Sequence, residues 1–155
     1  MLDLSELLSP SAVRVVDHVT SKKRLMQELG DIASDIYGID SPSAVDALLE
    51  RETLGPTGVG HGVALPHARI EGLDRVVAAF LRLDKPMDFG AVDRQPVDLV
   101  MCLFAPVDSG VAHLKALALV SRTLREPSIC SKLRANSDVS TLYAVLTELQ
   151  RIQAA

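Results

Sequence analysis

A chain of 155 residues, 48% hydrophobic and 23% charged, is long enough for one domain burying about 68–70% of its unfolded surface, and too apolar for disorder. Aromatics make up 3% and Trp is absent, so the core has to be aliphatic. With a net charge of −4, and no basic cluster denser than Lys22-Lys23-Arg24, neither nucleic acid nor an anionic membrane is an expected partner. No apolar run approaches the roughly 18 residues of a membrane span. Met1–Glu6 lacks the basic and apolar regions of a signal peptide, and two isolated cysteines suit a reducing compartment. A soluble cytoplasmic protein is expected.

Taken in order, Val13-Arg-Val-Val16 is a β-branched run that predicts a first strand. Thr20 or Ser21 offers an N-cap for a helix in which Leu25, Leu29, Ile32 and Ile36 recur at helical spacing up to Tyr37, and Gly38 is placed to end it. Ser41-Pro42 marks a second helix start, with Ser41 as the N-cap and proline in the first turn. Val45, Leu48 and Leu49 give that helix its apolar face as far as about Leu54, with Arg51 in its last turn. A glycine-rich loop follows, and Val63-Ala64-Leu65 predicts a short strand ending at His67. Arg75–Leu83 is a continuous apolar run, expected to be a strand covered on both faces. Residues 84–95, with Pro86 and Gly90, read as a turn or hairpin region. Pro96–Ala105 is the most strand-like run, with Cys102 buried in it, and Pro106 stops it. A helix is expected from about Val111 to Arg125, with Leu114, Leu117, Ser121 and Leu124 on one face. A shorter one follows from Ser128 to Arg134. Asp138 then caps a last helix with apolar positions Val139, Leu142, Leu146 and Leu149. This alternation predicts a single α/β domain over residues 1–155, a mixed β-sheet flanked by α-helices.

The densest chemistry lies in Gly55–Arg69. Four of the nine glycines fall within eight residues there, so the backbone can turn sharply and come close to another molecule. The loop then delivers His67, fixed by Pro66. A neutral imidazole nitrogen is a good nucleophile near pH 7, and its N–P bond transfers readily. A phosphoryl site of that kind needs a fixed ring, little steric cover and nearby positive charge. Arg51 and Arg69 are candidates for the charge, since a guanidinium grips phosphate oxygens in a bidentate manner. His113 falls in the first turn of the helix after the strand ending at Ala105, where free N–H groups and the helix dipole suit a phosphate. Strand ends and helix starts cluster on one edge of a sheet, so His67 and His113 are expected to meet there.

Plainer readings stand beside these. His67 as a carbonyl-satisfying histidine, Arg51 as a cation favoured by any helix C-terminus, and His113 as a half-buried helix residue fit the same positions. His61 and His67 invite a metal reading, but six residues of extended chain span about 20 Å. There is no third ligand nearby and no CxxC or HExxH pattern, so no metal site is expected. His18, in Val16-Asp-His-Val19, reads as a surface turn residue.

The stretch Arg51-Glu-Thr-Leu-Gly-Pro-Thr-Gly-Val-Gly-His-Gly-Val-Ala-Leu-Pro-His67, followed by His113-Leu-Lys-Ala-Leu-Ala-Leu-Val-Ser121, closely resembles the IIA components of the bacterial phosphotransferase system. The likeness is to the fructose/mannitol type (type 2), and best to its nitrogen-related regulatory branch, and it covers nearly the whole chain. It implies the type-2 IIA fold, His67 as the phosphorylated residue, and Arg51 and His113 as groups that stabilise the phosphoryl group. It implies no cofactor. The phosphoryl group comes from phosphoenolpyruvate through enzyme I and a histidine-phosphorylated, HPr-like carrier protein. The implied role is a phosphocarrier whose phosphorylation state regulates partner proteins such as kinases, transporters or enzymes. Two positions depart from the pattern. Ala68-Arg69 stands where glycine and lysine often follow, which keeps the charge, and His61 stands where Asn, Gly or another small or polar residue is frequent, a change expected to bear on partner docking. Two other readings remain open: a sugar-specific IIA that passes phosphate to a IIB domain, and a binding module in which His67 is never modified.

Overall fold

The computed structural model describes the backbone of residues 2–154 and the side chains of residues 2–148. In chain order the elements are α1 (Leu4–Leu7), β1 (Leu8–Val16), α2 (Lys22–Tyr37), α3 (Ser41–Thr53), β2 (Gly58–Gly60), β3 (Val63–Ala64) and β4 (His67–Ile70). They continue with β5 (Val77–Met87), β6 (Val97–Pro106), α4 (Gly110–Arg125), α5 (Pro127–Arg134) and α6 (Val139–Ala154).

Local chemistry sets most boundaries. Ser21 caps α2 by accepting from the Arg24 N–H at 3.0 Å. Gly38 ends it in the left-handed region at φ +68°, where its N–H reaches the Ala33 and Ser34 carbonyls. For α3 the cap is Asp40 and not Ser41. The Asp40 carboxylate takes both the backbone N–H and the hydroxyl of Ser43, and a negative charge at a helix N-terminus gains from the dipole as well. Those two hydrogen bonds hold the carboxyl below its ordinary pKa.

The six strands form one mixed sheet in the order β1-β5-β6-β3-β2, with β4 also on β6. β1 runs parallel to β5, β5 antiparallel to β6, and both β3 and β4 parallel to β6. β5 is buried from Val77 to Leu81 and β6 from Leu99 to Pro106, as the unbroken apolar runs predict for central strands. Helices α2 and α3 pack on each other, α3 packs on β4, and α4 packs on β6. The core is aliphatic around three fully buried phenylalanines, Phe80, Phe89 and Phe104.

The structure departs from the sequence expectations at several points. β1 starts at Leu8, five residues early, after the one-turn helix α1. β5 continues through residues 84–87 to pair Met87 with Val97, across a register shift that accommodates Pro86. Part of the glycine loop is itself a strand, β2, and His67 opens β4 instead of closing the strand before it. In α4 the buried stripe is His113, Ala116, Leu119, Val120, Thr123 and Leu124, about one residue round from the expected face. That helix is apolar on two adjacent stripes, so periodicity alone does not choose between them. In α6, Leu142 and Leu146 are buried and Val139 is exposed. Leu149 lies outside the residues whose side chains are described.

Gly58 sits where two backbones meet. A Cβ there would lie 2.7 Å from Ala91 Cβ and 2.8 Å from Ala91 Cα, and the Gly58 carbonyl already accepts from the Val92 N–H at 3.1 Å. Gly58→Ala is therefore expected to destabilise the protein by about 1–3 kcal/mol through overpacking, measurable as a lowered midpoint in urea unfolding.

Candidate functional site

The site is assembled on the last third of β6. The Pro66 carbonyl accepts from the Leu103 N–H at 3.0 Å, and His67 then pairs in register with Leu103. β6 ends at Pro106, and a three-residue turn leads into α4, whose first turn carries His113. The His113 N–H donates to the Ser109 carbonyl at 2.8 Å. As a result the His67 and His113 rings stand edge to face, 5.5 Å apart between centroids and at 72°. The last turn of α3 brings Arg51, one of whose five N–H donors is held by the Gly55 carbonyl at 3.1 Å. Arg51, His67, Arg69 and His113 line one open cleft of about 520 Å³, with Leu54 and Leu114 at its edge.

The ring of His67 is oriented by its own backbone. Its Nδ1 lies 2.9 Å from the Leu65 carbonyl oxygen, which can only accept. Nδ1 therefore carries the proton, and Nε2 keeps its lone pair. Burial holds the imidazole below its ordinary pKa of 6.5. The Leu65 bond and the Glu52 carboxylate work against that shift, and Arg51 works with it. His113 is also held below 6.5, by burial first and then by His67 and Arg69. It is only 7% exposed, and its buried Nε2 has no hydrogen-bond partner among the described residues. An unpaired buried polar atom costs about 1–3 kcal/mol, and Arg82 Nε is the other such atom among the described residues. The cleft thus presents a neutral, oriented nitrogen nucleophile among two guanidinium groups and a second neutral imidazole, an arrangement suited to receiving an anionic phosphoryl group.

His61 lies elsewhere. It forms the β2–β3 turn at φ +58°, donates its N–H to Asp93 at 2.9 Å, and accepts at its carbonyl from the Arg134 guanidinium at 2.7 Å. The neighbouring Gly62 carbonyl pairs with the Asp98 and Leu99 N–H groups, five residues back along β6 from the partner of His67, or about 16 Å. That position separates it from the cleft. His18 is exposed in the loop after β1. The Leu65 bond matches the plainer reading of His67 as a carbonyl-satisfying histidine, although no side-chain pattern reveals which carbonyl it meets. The apolar edge of the cleft had no counterpart in the sequence reading: Leu54 is 80% and Leu114 68% exposed, and a leucine directly ahead of Gly55 was the available sign.

An open mixed sheet flanked by helices is the fold of phosphotransferase-system IIA proteins. The family described as phosphoenolpyruvate-dependent sugar phosphotransferase system, EIIA 2, matches residues 6–149, and the chain belongs to it. It is 43% identical over 145 residues to the nitrogen regulatory protein of Bradyrhizobium diazoefficiens, covering 94% of this chain and 95% of that one. It is 36% identical to the protein of the same name from Escherichia coli K12, covering 96% and 92%. The crystal structure of nitrogen regulatory protein IIA-Ntr from Neisseria meningitidis superposes with a TM-score of 0.85 at 34% identity, over 93% of this chain and 99% of that one. IIA mannitol from Escherichia coli shares the fold at a TM-score of 0.74 and 18% identity, over 89% and 97%.

Both histidines bind protons more weakly in the folded than in the unfolded chain, where they titrate near 6.5. Their contribution to stability is therefore complete above about pH 6.5 and is lost as pH falls through the lower folded values. Side-chain NMR titration should place both midpoints below 6.5, and Arg51→Ala should raise that of His67. The double variant His67→Ala/His113→Ala should lose less stability than the parent between about pH 7.5 and about pH 5.5 in urea unfolding.

Proposed function

We propose that this protein is a phosphocarrier of the nitrogen-related phosphotransferase system that accepts a phosphoryl group on His67. The observation that carries the reading is the Nδ1–H bond to the Leu65 carbonyl, which leaves Nε2 as the nucleophile in a cleft shared with Arg51, Arg69 and His113. The donor is a histidine-phosphorylated, HPr-like carrier protein, charged by enzyme I from phosphoenolpyruvate in the cytoplasm. Neutral His67 attacks in line. The Nε2–P bond forms as the donor's N–P bond breaks, and the donor nitrogen leaves with the electron pair. Nδ1 keeps its proton throughout, so no base is needed. Arg51 and His113 hold the equatorial oxygens, and positioning with charge stabilisation does most of the work. The orphaned Nε2 of His113 gains a partner at that moment. No cofactor or metal enters this scheme.

Leu54 and Leu114 are exposed on the same cleft and suit docking of a protein donor over a small molecule, because apolar side chains grouped within a polar rim favour burial against a partner surface. The phosphorylation state of His67 then regulates target proteins, among them kinases, transporters or enzymes. A sugar-specific role is the second reading. It is supported by 32% identity over 148 residues to the fructose-specific EIIA component of Haloferax volcanii, below the 43% to the Bradyrhizobium regulatory protein.

Incubation with phosphoenolpyruvate, enzyme I and the carrier should place acid-labile phosphate on the protein, and His67→Ala should abolish it. Undiminished labelling of that variant would remove His67 as the acceptor, and an unmodified wild type would leave the binding-module reading. Arg51→Ala should fold normally and transfer about 100-fold more slowly. Passage of the label to a purified fructose-type IIB domain would favour the sugar-specific reading.

A further inference from the structure

Beneath the cleft lies a buried charge that the scheme above does not use. Glu52, next to Arg51 in the last turn of α3, has a side chain only 6% exposed. Its Oε2 accepts from Lys22 Nζ and from the Thr57 backbone N–H, each at 3.1 Å, and its Oε1 accepts from the Thr57 hydroxyl. Lys22 Nζ in turn lies 4.5 Å from the ring centroid of buried Phe89. A carboxylate is tolerated in such a place only when its lone pairs are met in good geometry, so this set fixes Thr57 firmly against the end of α3.

Thr57 is itself linked to the nucleophile. Its carbonyl accepts from the Leu65 N–H at 2.9 Å, and the Leu65 carbonyl accepts from His67 Nδ1–H at 2.9 Å. Three successive links therefore run from the Glu52 carboxylate through Thr57 and Leu65 to the imidazole. The same loop holds Arg51 through the Gly55 carbonyl. We propose that Glu52 is a positioning residue for phosphoryl transfer, acting through Thr57 and Leu65 to hold His67 in the Nδ1–H tautomer with Nε2 presented. This rests on the reading of His67 as the phosphoryl acceptor.

Lys22 has a defined part in this. An unneutralised carboxylate so near His67 would repel an incoming phosphoryl group, and pairing it with an ammonium removes most of that repulsion while leaving both oxygens to hold the loop. Arg51 and Glu52, adjacent in sequence, thus take opposite tasks: the guanidinium lines the cleft, and the carboxylate organises its floor from behind.

The test compares Thr57→Val, Thr57→Ser and Glu52→Gln with the parent. The readouts are the His67 tautomer by side-chain 15N NMR, the rate of phosphoryl transfer from the phosphorylated carrier, and thermal unfolding. Thr57→Val keeps the side-chain volume and loses the hydroxyl. It is expected to let the Nε2–H tautomer gain population and to slow transfer at least about tenfold, and Thr57→Ser should restore both. Glu52→Gln should act in the same direction as Thr57→Val. Folded Thr57→Val protein with the parental tautomer and rate would overturn the proposal. So would a slower rate with an unchanged tautomer that Ser does not rescue. If Glu52→Gln fails to fold, the two Thr57 variants decide. The tautomer is read on unphosphorylated protein, so labelling of His67→Ala would remove the acceptor reading without affecting that measurement.

Discussion

The site depends on one edge of β6 being shared by two short strands in succession. β3 pairs with Leu99 and Val100, and β4 pairs from Leu103 to Pro106. Pro66 falls in the gap, where a residue without an N–H loses nothing and its carbonyl still accepts from Leu103. This pairing ties the end of the glycine segment to the end of a strand whose every residue from Leu99 onward is buried. The next element, α4, must start from that same strand end. His67 and His113, far apart in sequence, are thus brought to 5.5 Å by backbone register and one short turn.

Electrostatics then gives the cleft its character. Desolvation is the largest influence on both imidazoles, and it keeps them neutral in the company of Arg51 and Arg69. For His67 that neutrality leaves Nε2 with a free lone pair. For His113 it leaves a buried Nε2 unpaired, a local loss of stability of the kind that concentrates at functional sites. Elsewhere hydrogen bonds tie distant segments together. Tyr37 donates to the Ala78 carbonyl at 2.6 Å and accepts from the Ser9 N–H, and Arg134 grips Asp98 through two nitrogens. Among the described residues two buried side-chain atoms lack a partner, Arg82 Nε and His113 Nε2, and of the two only His113 lines the cleft with His67.

Much of this was legible in the chain. The β5 and β6 runs read as central strands because uninterrupted apolar sequence has no wet face to offer. The ends of α2 were set by Ser21 and Gly38, whose chemistry acts within one turn. His67, Arg51 and His113, singled out at a glycine loop, a helix end and a helix start, do line one cleft, although local signals alone left plainer readings of each open. Harder to read were the features that turn on competition between near-equal local choices. Asp40 outbid Ser41 as a cap, α4 settled on one of two apolar stripes, and β2 formed within a loop rich in glycine because β3 was there to pair with it.

By itself, then, the amino-acid sequence determined the class of fold and singled out the candidate site residues, because hydrophobic periodicity, caps and glycine density act over a few residues. Tertiary structure alone decided their relations. It set the tautomer of His67, through a carbonyl that carries no side-chain signature. It brought Arg51 and His113 to one cleft with Leu54 and Leu114 at its edge, and it carried His61 to the opposite end of β6. Hydrogen-bond register is a property of two strands together. Where His67 points, and what faces it, therefore became determined only when the glycine segment found its place along β6.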